Sequence, residues 1–192
     1  MGVATRMTLD EFLALPETEP ASEFAYGRVI PPPTPTFFHG LITAAVIHRL
    51  SMRMHANPIG LVVTRTLHAN RREGRAYLPD VAVILSQNLP HDRAALVRGP
   101  LEFRPDLAIE ILSPDDRPGR VADKLAFYLR TGVPLTWIVD IDDRTLTAYR
   151  PGEPPTVYRQ DDLVDGAPVL PGMAIDLSRL FGEIDQLAGE NS

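Results

Sequence analysis

The run PDLAIEILSP, residues Pro105 to Pro114, sets one carboxylate, Glu110, in the middle of an otherwise apolar stretch. Its length and its Leu and Ile content read as a buried β-strand. Side chains on a strand alternate between faces, so Leu107, Ile109 and Ile111 share one side while Asp106, Ala108, Glu110 and Leu112 share the other. The first side is core. Glu110 therefore points away from it, beside the small Ala108, and a lone acid in such a place is costly unless something pairs with it.

A second run, YLPDVAVIL (residues 77–85), repeats the arrangement: Asp80 shares a face with Ala82, while Val81 and Val83 point the other way. If the two strands are neighbours, the carboxylates converge. Two carboxylates held close repel each other and raise one pKa unless a cation or a proton lies between them. Magnesium suits such a pair, because it prefers oxygen ligands, keeps several waters and needs only one or two carboxylates. Manganese is the alternative ion. Such a metal activates water and offsets charge on a phosphoryl oxygen.

Downstream, RPGRVADKLAFYLRTG (residues 117–132) reads as a helix, with Pro118 near its start and Gly132 at its end. Val121, Leu125, Tyr128 and Leu129 make its apolar stripe, and Lys124 falls on the border of that stripe. From there the lysine can stretch toward the sheet, to hold or deprotonate a water or to neutralise a phosphate. Each residue alone has a plainer reading: Asp80 ends a strand, and Lys124 is a surface lysine. Trp137 and Tyr128 read as core aromatics, and Asp140, Asp142 and Asp143 as turn residues.

Around these stretches the chain reads as one mixed α/β (α+β) domain over residues 1–182, followed by a fraying end over residues 183–192. MTLDEFLAL has Thr8 and Glu11 spaced as a capping box on a short helix. A strand is expected over Phe24 to Val29, and a helix from Phe38 to about Met54. Further strands are expected in GLVVTRTLHA, TWIVDI, TLTAYR and TVYR, and a polar loop from Ser86 to Pro100.

At 192 residues the chain is long enough for one full core. It has no cysteine, which removes disulfides and thiolate metal sites and suits a reducing cytoplasm, where we place it. No stretch approaches the ~20 apolar residues that span a bilayer. The net charge of −6 makes the whole chain unattractive to phosphate backbones, so any nucleic-acid contact must be local. The densest basic stretch is RTLHANRREGR, with Arg65, Arg71, Arg72 and Arg75; it is either such a patch or a solvated hairpin tip. His48, His55 and His91 lack partners at metal-ligand spacing.

Taken together, YLPDVAVIL, RPDLAIEILSPDDR, ADKLAFYLRTGVPLTWIVD and LTAYR, with EFAYGRVIPP and FFHG upstream, resemble the Uma-type family of restriction endonucleases, within the PD-(D/E)XK nuclease superfamily. The resemblance runs from about Thr8 to Phe181. It implies a restriction-endonuclease-like central mixed sheet flanked by helices, and magnesium-dependent cleavage of DNA. Asp80 and Glu110 match the family's metal ligands. The superfamily's usual lysine position is Leu112 here, and Lys124 matches the lysine that the following helix supplies instead. Glu23 and His39 match an acid and a histidine near the cleft, as an added metal ligand and a phosphate contact.

On this reading Arg65, Arg71, Arg72 and Arg117 hold substrate, and a homodimer would be the simplest way to cut both strands. The rival reading is a catalytically inactive binding or assembly module that keeps the nuclease fold, which the negative net charge favours. A third is hydrolysis of some other phosphate ester.

Overall fold

The strands pair into two main sheets and a two-stranded ribbon, and the computed structural model describes residues 6–16, 21–89, 104–114 and 116–188. The larger sheet contains β3 (Gly60–Thr64), β6 (Val81–Leu85), β7 (Leu107–Ile111), β8 (Leu135–Asp140), β9 (Thr145–Tyr149) and β10 (Thr156–Arg159). Their order is β10-β9-β8-β7-β6-β3. The β7–β8 pair is parallel, and helix α3 (Pro118–Arg130) makes the crossover that a parallel pair requires. The other neighbouring pairs in this sheet are antiparallel.

The smaller sheet holds β1 (Glu23–Ala25), β2 (Arg28–Ile30), β4 (His68–Asn70) and β5 (Arg75–Tyr77) in the order β2-β1-β5-β4. Helix α1 (Leu9–Leu13) packs on it through Leu9, which meets Phe24, Ala69 and Ala76. The capping box on α1 forms as its sequence predicts.

Alternation decides the core. Leu107, Ile109 and Ile111 join Val81, Val83, Trp137 and Val139 on one face of the large sheet. That face is covered by α2 (Phe37–Ala56) and α4 (Leu177–Ala188) through residues such as Ile42, Leu50, Leu180 and Phe181. The opposite face, at Ala108, is covered by Phe127 and Tyr128 of α3 and by Ala25 and Tyr77 of the small sheet. Both faces of β7 are thus buried, and Glu110 lies inside the protein at 7 % exposure.

Several expectations are corrected. Phe24 to Val29 is a hairpin and not one strand: Tyr26 (φ 55°) and Gly27 (φ 74°) both take left-handed backbone, the pair that a two-residue turn between twisted strands requires. The fraying end is helical up to Ala188, because Ile184 continues the buried stripe of Leu177, Leu180 and Phe181. The polar loop begins with a 3₁₀ turn, Ser86–Asn88, and its remainder from residue 90, including His91, lies outside the described residues. The ribbon β11 (Leu163–Asp165) with β12 (Ala174–Asp176) is an addition to the expected strands.

The two longest strand runs each change sheets. GLVVTRTLHA leaves the large sheet at Arg65, whose φ is 53°, and joins the small one as β4. YLPDVAVIL does the reverse across Pro79, which has no N–H to continue a ladder. The sheets therefore part beside Arg65 and Asp80. No described helix is long and apolar enough to cross a membrane.

Candidate active site

At the parting of the sheets lies a cavity of about 600 Å³, lined from the sheets by Glu23, Leu78, Asp80 and Glu110 and from the helices by His39, Gly40, Arg120 and Lys124. Strand register brings the carboxylates together. β6 and β7 are antiparallel with Val81 opposite Ile109, so Asp80, one residue earlier, meets Glu110, one residue later. Asp80 is fixed across the gap by the backbone N–H of Ile111, which donates to its Oδ2 at 2.8 Å. His39, near the start of α2, approaches the same oxygen, with Nε2 at 3.4 Å.

Glu110 accepts hydrogen bonds on both oxygens. The Tyr128 hydroxyl donates to Oε1 at 2.6 Å and the Lys124 ammonium donates to Oε2 at 2.5 Å. Lys124 also donates to the Leu78 carbonyl at 2.8 Å and pairs with Glu23 Oε1 at 3.0 Å. Of the three donors of the ammonium, two are spent on hydrogen bonds, and Glu23 is paired with it by charge. Glu23 in turn accepts from the Leu78 N–H at 3.1 Å and from Arg120 Nη2 at 2.8 Å. A buried lysine thus sits between two buried carboxylates, braced by α3 on one side and β1 on the other.

Burial sets the electrostatics of this network. It pushes the Glu110 carboxyl up to about 8; Asp80 adds to the rise, while the Lys124 ammonium and the Tyr128 hydroxyl oppose it. For Lys124 burial works downward, but the charges of Glu110, Glu23 and Asp80 outweigh it and hold the amine firmly cationic. Burial would raise Asp80, yet the His39 hydrogen bond, the Lys124 charge and the Ile111 N–H together keep it below the usual carboxylate range. His39 is raised, chiefly by its hydrogen bond to Asp80 and against the pull of burial.

The family pattern of Uma2, described as "Putative restriction endonuclease", matches residues 9–178. The chain belongs to the Uma2 family. A solved structure with the same architecture, described as a putative nuclease belonging to DUF820 from Anabaena variabilis, superposes with a TM-score of 0.80 at 29 % identity. The match covers 92 % of this chain and 98 % of that one. Both share the mixed sheet flanked by helices that the sequence leads one to expect. None of the curated proteins matches this Uma2 chain.

The Uma2 fold gathers some of the sequence-selected residues and disperses others. Asp80, Glu110, Lys124, Glu23, His39 and Arg65 all line the one cavity. Arg71 and Arg72 lie at the β4–β5 turn, where Arg71 pairs with Asp10 at 2.9 Å, and Arg117 is exposed at the start of α3; these three are not in the cavity lining. Arg120 is the cation that sequence reasoning misses, and Tyr128 reads there only as core. Their signal is spacing: residues 120, 124 and 128 recur every four, which stacks them on one side of a helix. Lys124 is at the middle of the buried side of α3 with Phe127 and Tyr128, not at its border, because the partners it meets are charged rather than apolar.

The donor set can be tested against the metal that the family resemblance implies. Among the described residues no group of three or more His, Cys, Asp or Glu side chains is placed to enclose an ion. The full cage of an all-protein site is therefore missing. Asp80 and Glu110 set two carboxylates on one cavity wall, a donor set that suits magnesium or manganese with water completing the shell, with the Glu110 oxygens shared between the ion and their present donors, Lys124 and Tyr128. Glu23 is committed elsewhere, to Lys124, Arg120 and the Leu78 N–H.

Proposed function

We propose that this Uma2 chain is a divalent-metal-dependent endonuclease that hydrolyses phosphodiester bonds in DNA. The observation that carries the reading is the meeting of Asp80 and Glu110 across β6 and β7 on one cavity wall, where the Lys124 ammonium bonds Glu110 and its charge acts on Asp80. Water adds to phosphorus and one ester bond breaks, leaving a phosphomonoester and an alcohol.

Asp80 and Glu110 would hold one magnesium or manganese ion, which supplies charge stabilisation and a more acidic bound water. Lys124 stays an ammonium, as its raised pKa requires, so its part is to orient water and offset phosphate charge rather than to take a proton. His39, held toward its cationic form by Asp80, adds positive charge at the mouth of the cavity for a phosphate oxygen. Arg65 and Arg120, on the same lining, would hold the strand. Glu23 serves as the anchor of Lys124 and Arg120.

The test is nicking of supercoiled plasmid. The wild-type protein is expected to nick with magnesium or manganese and not with EDTA, and Glu110→Gln to lose at least about a hundredfold of that rate, the scale of one electrostatic catalytic contact. Equal rates for wild type and Glu110→Gln would overturn the assignment.

The rival is a binding module on the same fold. Two observations favour it: the net charge of −6, and the engagement of the Lys124 ammonium by Glu110, Glu23 and the Leu78 carbonyl of the protein itself. A binder would keep its affinity for nucleic acid in the Asp80→Ala, Glu110→Ala double variant and would cut nothing in either form.

A further inference from the structure

Phe37, the first residue of α2, is 73 % exposed, and the adjacent Phe38 is 38 % exposed. Neither belongs to the buried set of that helix, which is Ile42, Ala45, Val46, Leu50 and Met54. Their rings meet edge to face, with centroids 5.9 Å apart and planes at 71°. Exposed apolar side chains are common on this surface, but among the described residues Phe37 is the most exposed of the large ones, and it is paired with a second aromatic at the helix start.

Its position points to a use. Gly40, three residues on, lines the cavity, and a Cβ there would meet no atom within 4 Å. Ala44 also lines the cavity and lies seven residues after Phe37, on the same side of the helix. Phe37 is not itself in the lining, but it stands in the first turn of α2 between Pro35 and the pair His39 and Gly40, which are, so its exposed ring lies within one helical turn of the cavity residues. A cavity of about 600 Å³ is the size that encloses a small molecule. That volume has room for one nucleotide unit within it.

Charge supports the same conclusion. With a net charge of −6 the chain's hold on a strand rests on the few cations at the cavity, and an uncharged contact beside them adds to it. Stacking of a base on an aromatic ring is such a contact, and it is indifferent to sequence.

We propose that Phe37, braced by Phe38, is a stacking platform for a base adjacent to the phosphate that is cut. The substrate then carries an unpaired base at the cut, in a single strand or in an opened region of a duplex. A base inside a paired duplex already has both faces stacked on its neighbours and gains nothing from the ring. The inference rests on the nuclease reading above.

The experiment uses the full chain carrying Glu110→Gln, so that substrate is held without turnover, with binding read by fluorescence anisotropy. Three labelled DNAs are compared: a single strand, the matched duplex, and the duplex with a central unpaired bubble. Phe37→Ala in this background is expected to weaken single-strand and bubble binding about tenfold or more, Phe37→Trp to restore it, and neither to change duplex binding by more than about twofold. At its exposure, Phe37 is a position where substitution leaves the fold intact.

Unchanged binding of all three DNAs by Phe37→Ala, in a protein whose parent nicks plasmid, overturns this inference alone. An equal loss on duplex and single strand does the same, because it marks a general surface contact. Failure of the Phe37-intact protein to bind any of the three, together with no plasmid nicking, overturns this inference and the nuclease reading together.

Discussion

Lys124 is the residue on which stability and chemistry meet. Its ammonium is buried and paired with Glu110, Glu23 and the Leu78 carbonyl, so removing it takes a donor from Glu110 and the Leu78 carbonyl and leaves buried Glu23 with Arg120 as its remaining cation. Breaking a buried ion network from one side costs roughly 3–5 kcal/mol, whereas replacing all its members with neutral groups is often close to neutral. Lys124→Met is therefore expected to lose on the order of 3–5 kcal/mol in urea unfolding, and Glu23→Gln, Glu110→Gln, Lys124→Met to recover most of it. Both variants should be inactive on plasmid. Wild-type stability for Lys124→Met would show that the network contributes nothing to the fold. Glu110 is legible in the sequence because alternation alone isolates it among Ile109 and Ile111. Arg120 and Tyr128 are not: apolar residues alone set the roll of α3 toward Leu125 and Leu129, while the true buried side is chosen by the carboxylates of two other elements.

At the scale of elements, the site is made by strands that change sheets. Alternation marks GLVVTRTLHA and YLPDVAVIL as strands, but a run of apolar residues does not say which sheet each half joins; the breaks at Arg65 and Pro79 depend on partners far away in the chain. The convergence of β6 with β7 is legible only as a condition, and pairing fulfils it. The far end of the same strands gives a way to separate scaffold from site. Gly60 faces Leu85 in the β3–β6 register, and a Cβ on Gly60 would lie 2.5 Å from the Ile84 carbonyl oxygen. Because that oxygen is backbone, Gly60→Ala must shift β3 from β6, with an expected cost of about 1–3 kcal/mol. The wedge lies at the end of β3 away from Arg65 and Asp80, so plasmid nicking well below the unfolding midpoint should stay within about threefold of wild type. Loss of nicking without loss of stability would mean that the two ends of the pair are coupled.

For the whole molecule, the buried network makes stability depend on pH in a direction opposite to that of a surface ion pair. The folded-state pKa of Glu110 is raised from 4.5 to about 8, so the folded protein binds this proton more tightly than the unfolded chain. Its contribution is fully present at or below 4.5 and is lost as pH climbs from there to about 8. His39, also raised, acts in the same sense: its contribution is present below its ordinary value of 6.5 and disappears as pH rises through its folded value. Asp80, lowered from 3.8, opposes them only at the acid end, where stability is lost as pH falls through its folded value. The groups facing Glu110 are Lys124 and Tyr128 from α3 and Asp80 from the head of β6; Lys124 and Tyr128 keep their protons throughout this window. Stability in EDTA should therefore peak near pH 5 and fall toward pH 8 by on the order of a few kcal/mol, since each tenfold gain in proton affinity on folding is worth about 1.4 kcal/mol. Glu110→Gln mimics the protonated carboxyl and removes that slope, leaving only the smaller fall due to His39. Saturating magnesium should flatten the wild-type curve from the other side, because an ion held by Asp80 and Glu110 favours the deprotonated carboxylate that high pH supplies. Thermal melts at intervals between pH 5 and 8, with EDTA or magnesium, resolve the three curves. If wild type and Glu110→Gln fall in parallel in EDTA, the carboxyl at the centre of the cavity is already ionised at pH 5, and its proton has no part in holding the sheets together where they separate.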